Sequence, residues 1–293
     1  MTLTSGQIDP GKFLLFLHLQ KTAGMTLQEL LRKHLGPGLL TRSVRYFKGT
    51  SGQSRTLEDA LRMVRKRDRV FMGHFCYGVH RLLDFDTTYI TLLRDPVKRL
   101  VSLYHYSHTT PTAHYYKVAR TMTPEEFLLK CRMLELDNGM TRLIAGDEDD
   151  LFINRTPYGE CDQRLLEKAK ANLERDFSFV GIQEEFDPSV LLLGQRLGWK
   201  SSCYLTLNVR KTPPSQESDE LKAIKLELAR KNHLDLELYD YCRKRFRSEF
   251  EQAFPDPEKA LAEFRKKNRQ YQQVARPLFA ARQLLTRTVK KIW

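Results

Sequence analysis

No stretch of this sequence approaches the ~18 consecutive apolar residues that a transmembrane helix needs. Its opening residues, MTLTSGQIDPGK, lack the basic segment and apolar stretch of a secretory leader. Both absences lead to the expectation of a cytoplasmic protein, peripheral to a membrane at most. Cys76, Cys131, Cys161, Cys203 and Cys242 are widely scattered. An odd count argues against a disulfide framework, and no Cys-x-x-Cys or His-x-x-x-His spacing points to a metal. They read as buried thiols, and the metal-ligand set is expected to be none. Internal repeats and low-complexity linkers are also missing. So is the G-x-x-x-x-G-K-S/T signature of loops that wrap a nucleoside triphosphate.

What is present is an ordinary globular mix. The chain has 293 residues, 41% hydrophobic and 29% charged, enough for one large α/β domain or two small ones. The net charge is +13, and ten Lys/Arg against three Asp/Glu from Phe254 onward put +7 of it in the tail. A basic body suits anionic ligands. A basic tail suits a membrane surface, an acidic polymer or a partner, or is simply a solvated helix face.

Continuous apolar runs ended by polar turns mark buried strands at FLLFLHLQ, RVFMGHF, TTYITLLRDP and FSFVGI. CYLTLN reads as a further strand. Helical spacing follows at MTLQELLRKHL, RTLEDALRMVRKRD, DPVKRLVSLYHY, TPEEFLLKCRML, CDQRLLEKAKANLERD and DPSVLLLGQRLGW. Asp95 and Pro96 supply an N-cap and a first helical residue. A long helix fills 219–248, and a tail helix opens at Asp256-Pro257 and breaks at Pro277. Strands alternating with helices predict an α/β fold, a central parallel sheet flanked by helices in three layers. The expected organisation is a leader (1–11), one domain (12–250) and a basic helical extension (251–293). Ligands of such sheets sit at the carboxyl ends of the strands.

Three strand-end segments carry chemistry. Gln20-Lys21-Thr22-Ala23-Gly24-Met25-Thr26 lies between a strand and a helix. Free N–H groups and the helix dipole favour an anion there, Gly24 would let backbone approach it, and Lys21 adds a full charge. An ordinary strand–helix turn with an exposed lysine is the alternative. Leu93-Arg94-Asp95-Pro96, with Ser102 eight residues past Arg94, ends the next buried strand. By itself it also reads as a capped helix with an ion-paired arginine. Arg210, Lys211 and Thr212 form a basic loop after CYLTLN. His74, in FMGHF, stands at another strand end, and its ordinary pKa of ~6.5 suits a general base. His80 is the fallback.

Together these motifs resemble the nucleotide-dependent carbohydrate sulfotransferases, in particular the branch of heparan and uronyl 2-O-sulfotransferases. LHLQKTAGMTL is similar to the family's 5′-phosphosulfate loop. ITLLRDPVKRLVSLY is similar to its 3′-phosphate motif, with Arg94 and Ser102 at the binding positions. LNVRKT is similar to its third cofactor loop. The resemblance spans roughly residues 12–250 and implies a P-loop-like fold and the donor 3′-phosphoadenosine 5′-phosphosulfate. It implies in-line transfer to a carbohydrate hydroxyl without a demanded metal, with His74 as base and Lys21 on the leaving oxygen. Two separated anionic centres on that donor match two separated anion sites in the sequence. Some relatives carry a second histidine where this chain has Met72.

For the acceptor, YHYSHTTPTAHYYK (104–117) clusters three histidines with four tyrosines, which makes His108 a sugar-binding candidate. DNGMTRLIAG (137–146) is similar to a family segment near the acceptor and adds Asn138 and Arg142, the latter suited to an anionic sugar. In the tail, Phe279, Leu285, Val289 and Ile292 fall near one helical face, and Arg282, Arg287, Lys290 and Lys291 lie mostly elsewhere. That pattern fits peripheral membrane or polyanion contact, or docking on the body. A P-loop kinase or nucleotidase and a non-enzymatic polyanion-binding protein are the competing readings. Specific nucleic-acid recognition is not expected.

Overall fold

The computed structural model describes residues 6–35, 39–40, 57, 61, 64, 68–206 and 218–292, and only the backbone at 39–40, 278 and 280–292. Among the described residues five parallel strands form one sheet: β1 (Phe13–Leu17), β2 (Leu39–Leu40), β3 (Val70–Gly73), β4 (Thr87–Leu93) and β5 (Phe177–Ile182). Their order is β2-β3-β1-β4-β5. Every residue of β1 and β3 is buried. Successive strand residues point to opposite faces, so both faces are covered, as the uninterrupted apolar runs predict. Full burial of a side chain such as Phe16 contributes about 1.5–3 kcal/mol.

The helices are α1 (Gly24–Leu35), α2 (Pro96–Thr109), α3 (Tyr116–Ala119), α4 (Gly139–Ala145), α5 (Gln163–Asp176), α6 (Phe186–Arg196), α7 (Asp219–Lys231), α8 (His233–Ala253) and α9 (Pro257–Ile292). Asp95 caps α2, accepting from the Lys98 amide at 2.8 Å, with Pro96 at its first position. Asp162 caps α5 in the same way. Leu57 and Leu61, from the expected helix 55–68, are helical and buried. The rest of that segment lies outside the described residues.

TPEEFLLKCRML is helical over 124–130, as a π turn at Glu126–Lys130 started by reciprocal bonds between Thr123 and Glu126. Three expectations are corrected. The long helix 219–248 is two helices, α7 and α8, parted at the buried Asn232. The Asn232 amide group bonds the Leu228 carbonyl, and its side-chain oxygen accepts from the Asn138 amide. Residues 203–206 join no sheet. There the Tyr204 amide donates to the Asn268 side chain on α9 at 2.9 Å. The tail helix, finally, runs straight through Pro277. Proline removes one amide donor and crowds one carbonyl, which here does not end the helix.

The first part of α9 docks on the body. Phe264 is buried in the main core and Asn268 is buried beside it. Arg265 pairs with Asp187 at 3.0 Å, and Asp187 also accepts from the Tyr204 hydroxyl at 2.7 Å. The tail's expected amphipathic face beyond Phe279 lies outside the described side chains.

Candidate active site

In the sheet order, β3, β1 and β4 are neighbours. Leu17 at the end of β1 is in register with Gly73 and Thr91. The chain leaves β1 toward one side of the sheet and returns at β4 on the other. That reversal opens a crevice beyond the carboxyl ends. Parallel pairing alone therefore brings together the segments after Leu17, Gly73 and Leu93, which hold Lys21, His74 and Arg94.

The turn after β1 is wound tightly. Lys21 and Ala23 have left-handed backbones, with φ 69° and 65°. Single left-handed residues in a turn point neighbouring amides to one side, a form that cups anions. Thr22 is buried and its hydroxyl donates to the Leu19 carbonyl at 2.8 Å, closing the turn from inside. The positive φ angles therefore fall on Lys21 and Ala23 and not on Gly24. Gly24 serves the fold differently. A Cβ there would lie 1.9 Å from Nε2 of His18. Gln20 is half-buried, Met25 is half exposed and Thr26 is buried in the first turn of α1.

Arg94 reaches this turn directly. Its Nη1 donates to the Lys21 carbonyl at 3.0 Å. Its buried Nε has no hydrogen-bond partner among the described residues. An unmatched buried guanidinium N–H is costly unless an anion or water completes it. The Arg94 turn is braced in turn by Glu184, which accepts from the Asp95 amide at 3.2 Å and from the Tyr239 hydroxyl at 2.9 Å. The Lys21 ammonium lies 4.1 Å from the ring centroid of Tyr106. Tyr106 is one helical turn past Ser102, so the Ser102 face of α2 meets the Lys21 turn. Burial, and then the Arg94 charge, hold the Lys21 pKa below its ordinary value.

His74 follows β3. Its Nδ1 lies 2.6 Å from the His18 carbonyl. A carbonyl only accepts, so Nδ1 carries a hydrogen, and in the neutral ring the lone pair is on Nε2. The His74 ring stacks on that of His18, centroids 4.6 Å apart and planes inclined by 27°. Burial, then His74 and then Lys21, keep the His18 pKa well below the usual range.

A cavity of about 160 Å³ adjoins the turn. Thr26, Leu30, Lys33, Tyr204, Tyr271 and Phe279 line it. Lys33 crosses it, donating to the Cys203 carbonyl at 3.1 Å and lying 4.2 Å over the Tyr271 ring. Arg210, Lys211 and Thr212, expected to complete a cofactor site, lie outside the described residues.

The acceptor candidates do not join this group. Arg142 is fully buried. Its donors go to the carbonyls of Asp137, Asn154, Thr156 and Pro157 and to the Asp137 carboxylate. With its fork spent on the protein, Arg142 has no free face for a sugar. Asn138, at 2% exposure, caps α8 by accepting from the Leu234 and Asp235 amides at 3.1 and 3.2 Å. His108 lies about 200° around α2 from Tyr106, on the opposite face. Its Nδ1 is 3.0 Å from the Ala119 carbonyl, tying α2 to α3. His80 is set apart as well. It bonds the Tyr89 hydroxyl at 2.9 Å, near the start of β4.

Sequence comparison decides which family this constellation belongs to. The profile of the galactose-3-O-sulfotransferase family matches residues 4–288. The chain belongs to the galactose-3-O-sulfotransferase family. Human galactose-3-O-sulfotransferase 2 is 27% identical over 221 residues, 67% of this chain and 51% of that protein. Human heparan-sulfate 6-O-sulfotransferase 1 is 29% identical over 195 residues, 56% and 44% of the two chains. Human galactose-3-O-sulfotransferase 3 is 27% identical over 252 residues, 79% and 55%. The carbohydrate sulfotransferase resemblance thus holds at family level, and the matching profile is that of the galactose 3-O branch. Membership implies a sulfate donor.

The chain spans about half the length of these galactose-3-O- and heparan-sulfate relatives. This overturns the cytoplasmic placement. That expectation rested on a missing leader and a missing apolar span in a sequence that matches only part of its glycan-sulfating relatives. Among the described residues no helix is long and apolar enough to cross a membrane, and location does not follow from that.

Proposed function

We propose that this chain transfers a sulfuryl group from 3′-phosphoadenosine 5′-phosphosulfate to a carbohydrate hydroxyl. One observation carries the reading: Lys21, Arg94 and His74 meet at adjacent strand ends, with Arg94 bonded to the Lys21 carbonyl at 3.0 Å. The residues fit such a donor. The orphaned Arg94 Nε and the half-buried Ser102 on the facing helix suit a phosphate. The turn 20–26 and Lys21 suit the phosphosulfate. The cavity beside Thr26, walled by Leu30, Tyr204 and Tyr271, suits a flat purine. The bound donor supplies an activated sulfuryl group on a good leaving group.

The protein's own part is positioning and charge. His74, with Nδ1 tied to the His18 carbonyl, presents Nε2 to take the acceptor hydroxyl's proton. Lys21 and the turn amides stabilise the negative charge left where the old sulfur–oxygen bond breaks. Arg94 and Ser102 anchor the nucleotide so that attack is oriented rather than collisional. The fork of Arg94 also sets the turn itself, since it bonds the Lys21 carbonyl.

The family name and two relatives make a galactose 3-hydroxyl the first acceptor to try, with a heparan-type chain second. The test is incubation with sulfur-labelled donor, galactose-terminated glycans and heparosan, in chelator. Labelled glycan formed by the wild type and not by the Lys21→Ala chain supports the reading. Absence of transfer together with Mg²⁺-dependent ATP hydrolysis would replace it with the P-loop nucleotidase reading.

A further inference from the structure

The His18 side chain has no part in the chemistry above, yet it touches two of its pieces. Its ring stacks on His74 at 4.6 Å. The same ring fills the space over Gly24. The three atoms nearest a Cβ at Gly24 are all from the His18 imidazole, at 1.9, 2.1 and 2.7 Å. Gly24 is not in the left-handed region, so its backbone would accept alanine. The His18 ring is what a methyl group there would meet first. On its other side the residue holds the base through its backbone, the carbonyl that receives the His74 Nδ1 hydrogen. One residue at the end of β1 is thus wedged between the first helical residue after the phosphate turn and the imidazole at the end of β3.

We propose that His18 is a positioning residue that locks the His74 ring to the phosphate-binding turn, so that turn and base are aligned together. A turn drawn onto an anion carries Gly24 with it. Gly24 bears on the His18 ring, and that ring sets the plane of His74. Donor binding then aims Nε2 at the acceptor as one event. The groups facing His18 are His74 from β3 and Lys21 from the turn itself, and both oppose a second positive charge there. A neutral, flat, close-packed wedge is what the place accepts. The inference rests on the sulfuryl-transfer reading, in which His74 is the base.

The test is a double-mutant cycle on the full chain: His18→Ala, Gly24→Ala and both together. Two quantities are read, kcat for sulfuryl transfer and Kd for adenosine 3′,5′-bisphosphate by calorimetry. His18→Ala should lower kcat by about ten- to a hundredfold, as a misplaced reacting group does, with Kd within about threefold of wild type. Gly24→Ala should raise Kd by about tenfold or more, since its methyl group displaces the wedge and distorts the turn. Adding His18→Ala to Gly24→Ala should restore Kd toward wild type and leave kcat at the His18→Ala level. A kcat unchanged in His18→Ala, or no recovery of Kd in the double variant, would overturn the proposal while leaving the enzyme reading intact. A wild-type chain that neither binds the bisphosphate nor transfers sulfur would instead overturn the reading beneath it.

Discussion

In the proposed reaction, Lys21 carries most of the chemistry at the scale of a residue. It sits in a left-handed backbone, its carbonyl braced by Arg94 and its ammonium laid on Tyr106. Lys21→Ala should cost about two to three orders of magnitude in kcat, as loss of a charge-stabilising donor does. Its melting temperature should stay near that of wild type, because no buried partner is stranded. His74→Ala should cost about 10²–10⁴ in kcat for want of a base, and near-normal turnover would remove that assignment. The pH profile has a definite sign. In the proposed role Lys21 acts as the ammonium, and its pKa is lowered, so activity should fall with rising pH before the ordinary lysine value of ~10.4. An anionic donor favours the ammonium, so the alkaline limb of kcat/KM should lie at lower pH than that of kcat. Tyr106 favours the ammonium too. Tyr106→Leu should move the kcat/KM limb further down, whereas Tyr106→Phe keeps the ring and should leave it in place. A limb that ignores Tyr106→Leu would deny the contact any role.

At the scale of elements, the segment 137–146 holds the scaffold together. Asn138 caps α8, and Arg142 gathers carbonyls from the loop 154–157 onto Asp137. Asn138→Ala should destabilise the fold by about 1–2 kcal/mol through the lost cap. Arg142→Ala should cost about 3–5 kcal/mol, since it leaves the buried Asp137 carboxylate unpaired. Denaturant melts measure both. A raised acceptor KM with unchanged stability would return these residues to the acceptor site. The sequence made the strands readable because full burial on both faces leaves uninterrupted apolar runs. It made the start of α2 readable because Asp95-Pro96 is local chemistry. It did not separate Arg142 from a ligand-facing arginine, since a guanidinium spent on carbonyls and one held out to a sugar are spelled alike. His108 was placed by composition, and helical phase turns it to the far face. Tyr106 was within reach of the same phase argument, four residues past Ser102. Glu184 carries no local signal, because its partners Asp95 and Tyr239 are distant in sequence.

For the whole molecule, the basic tail is in part structural. Phe264 is buried in the main core, and Asn268 receives the Tyr204 amide, six residues before Arg210. Removing residues 257–293 should cost at least the ~1.5–3 kcal/mol of one buried aromatic side chain and weaken bisphosphate binding, because Tyr271 and Phe279 wall the cavity. Unchanged stability and affinity would make the tail an appendage. The net charge of +13 should draw an anionic donor, so kcat/KM for the donor should fall with rising salt. The central claim is that adjacent ends of β1, β3 and β4 form one sulfuryl-transfer site. Its most direct measurement is transfer of labelled sulfur from 3′-phosphoadenosine 5′-phosphosulfate to galactose-terminated glycan, in chelator, by wild type and by the Lys21→Ala, His74→Ala and Arg94→Ala chains. The account predicts labelled glycan from the wild type, and the loss of most of it in each variant. A wild type with no transfer, or variants that all transfer normally, would contradict it.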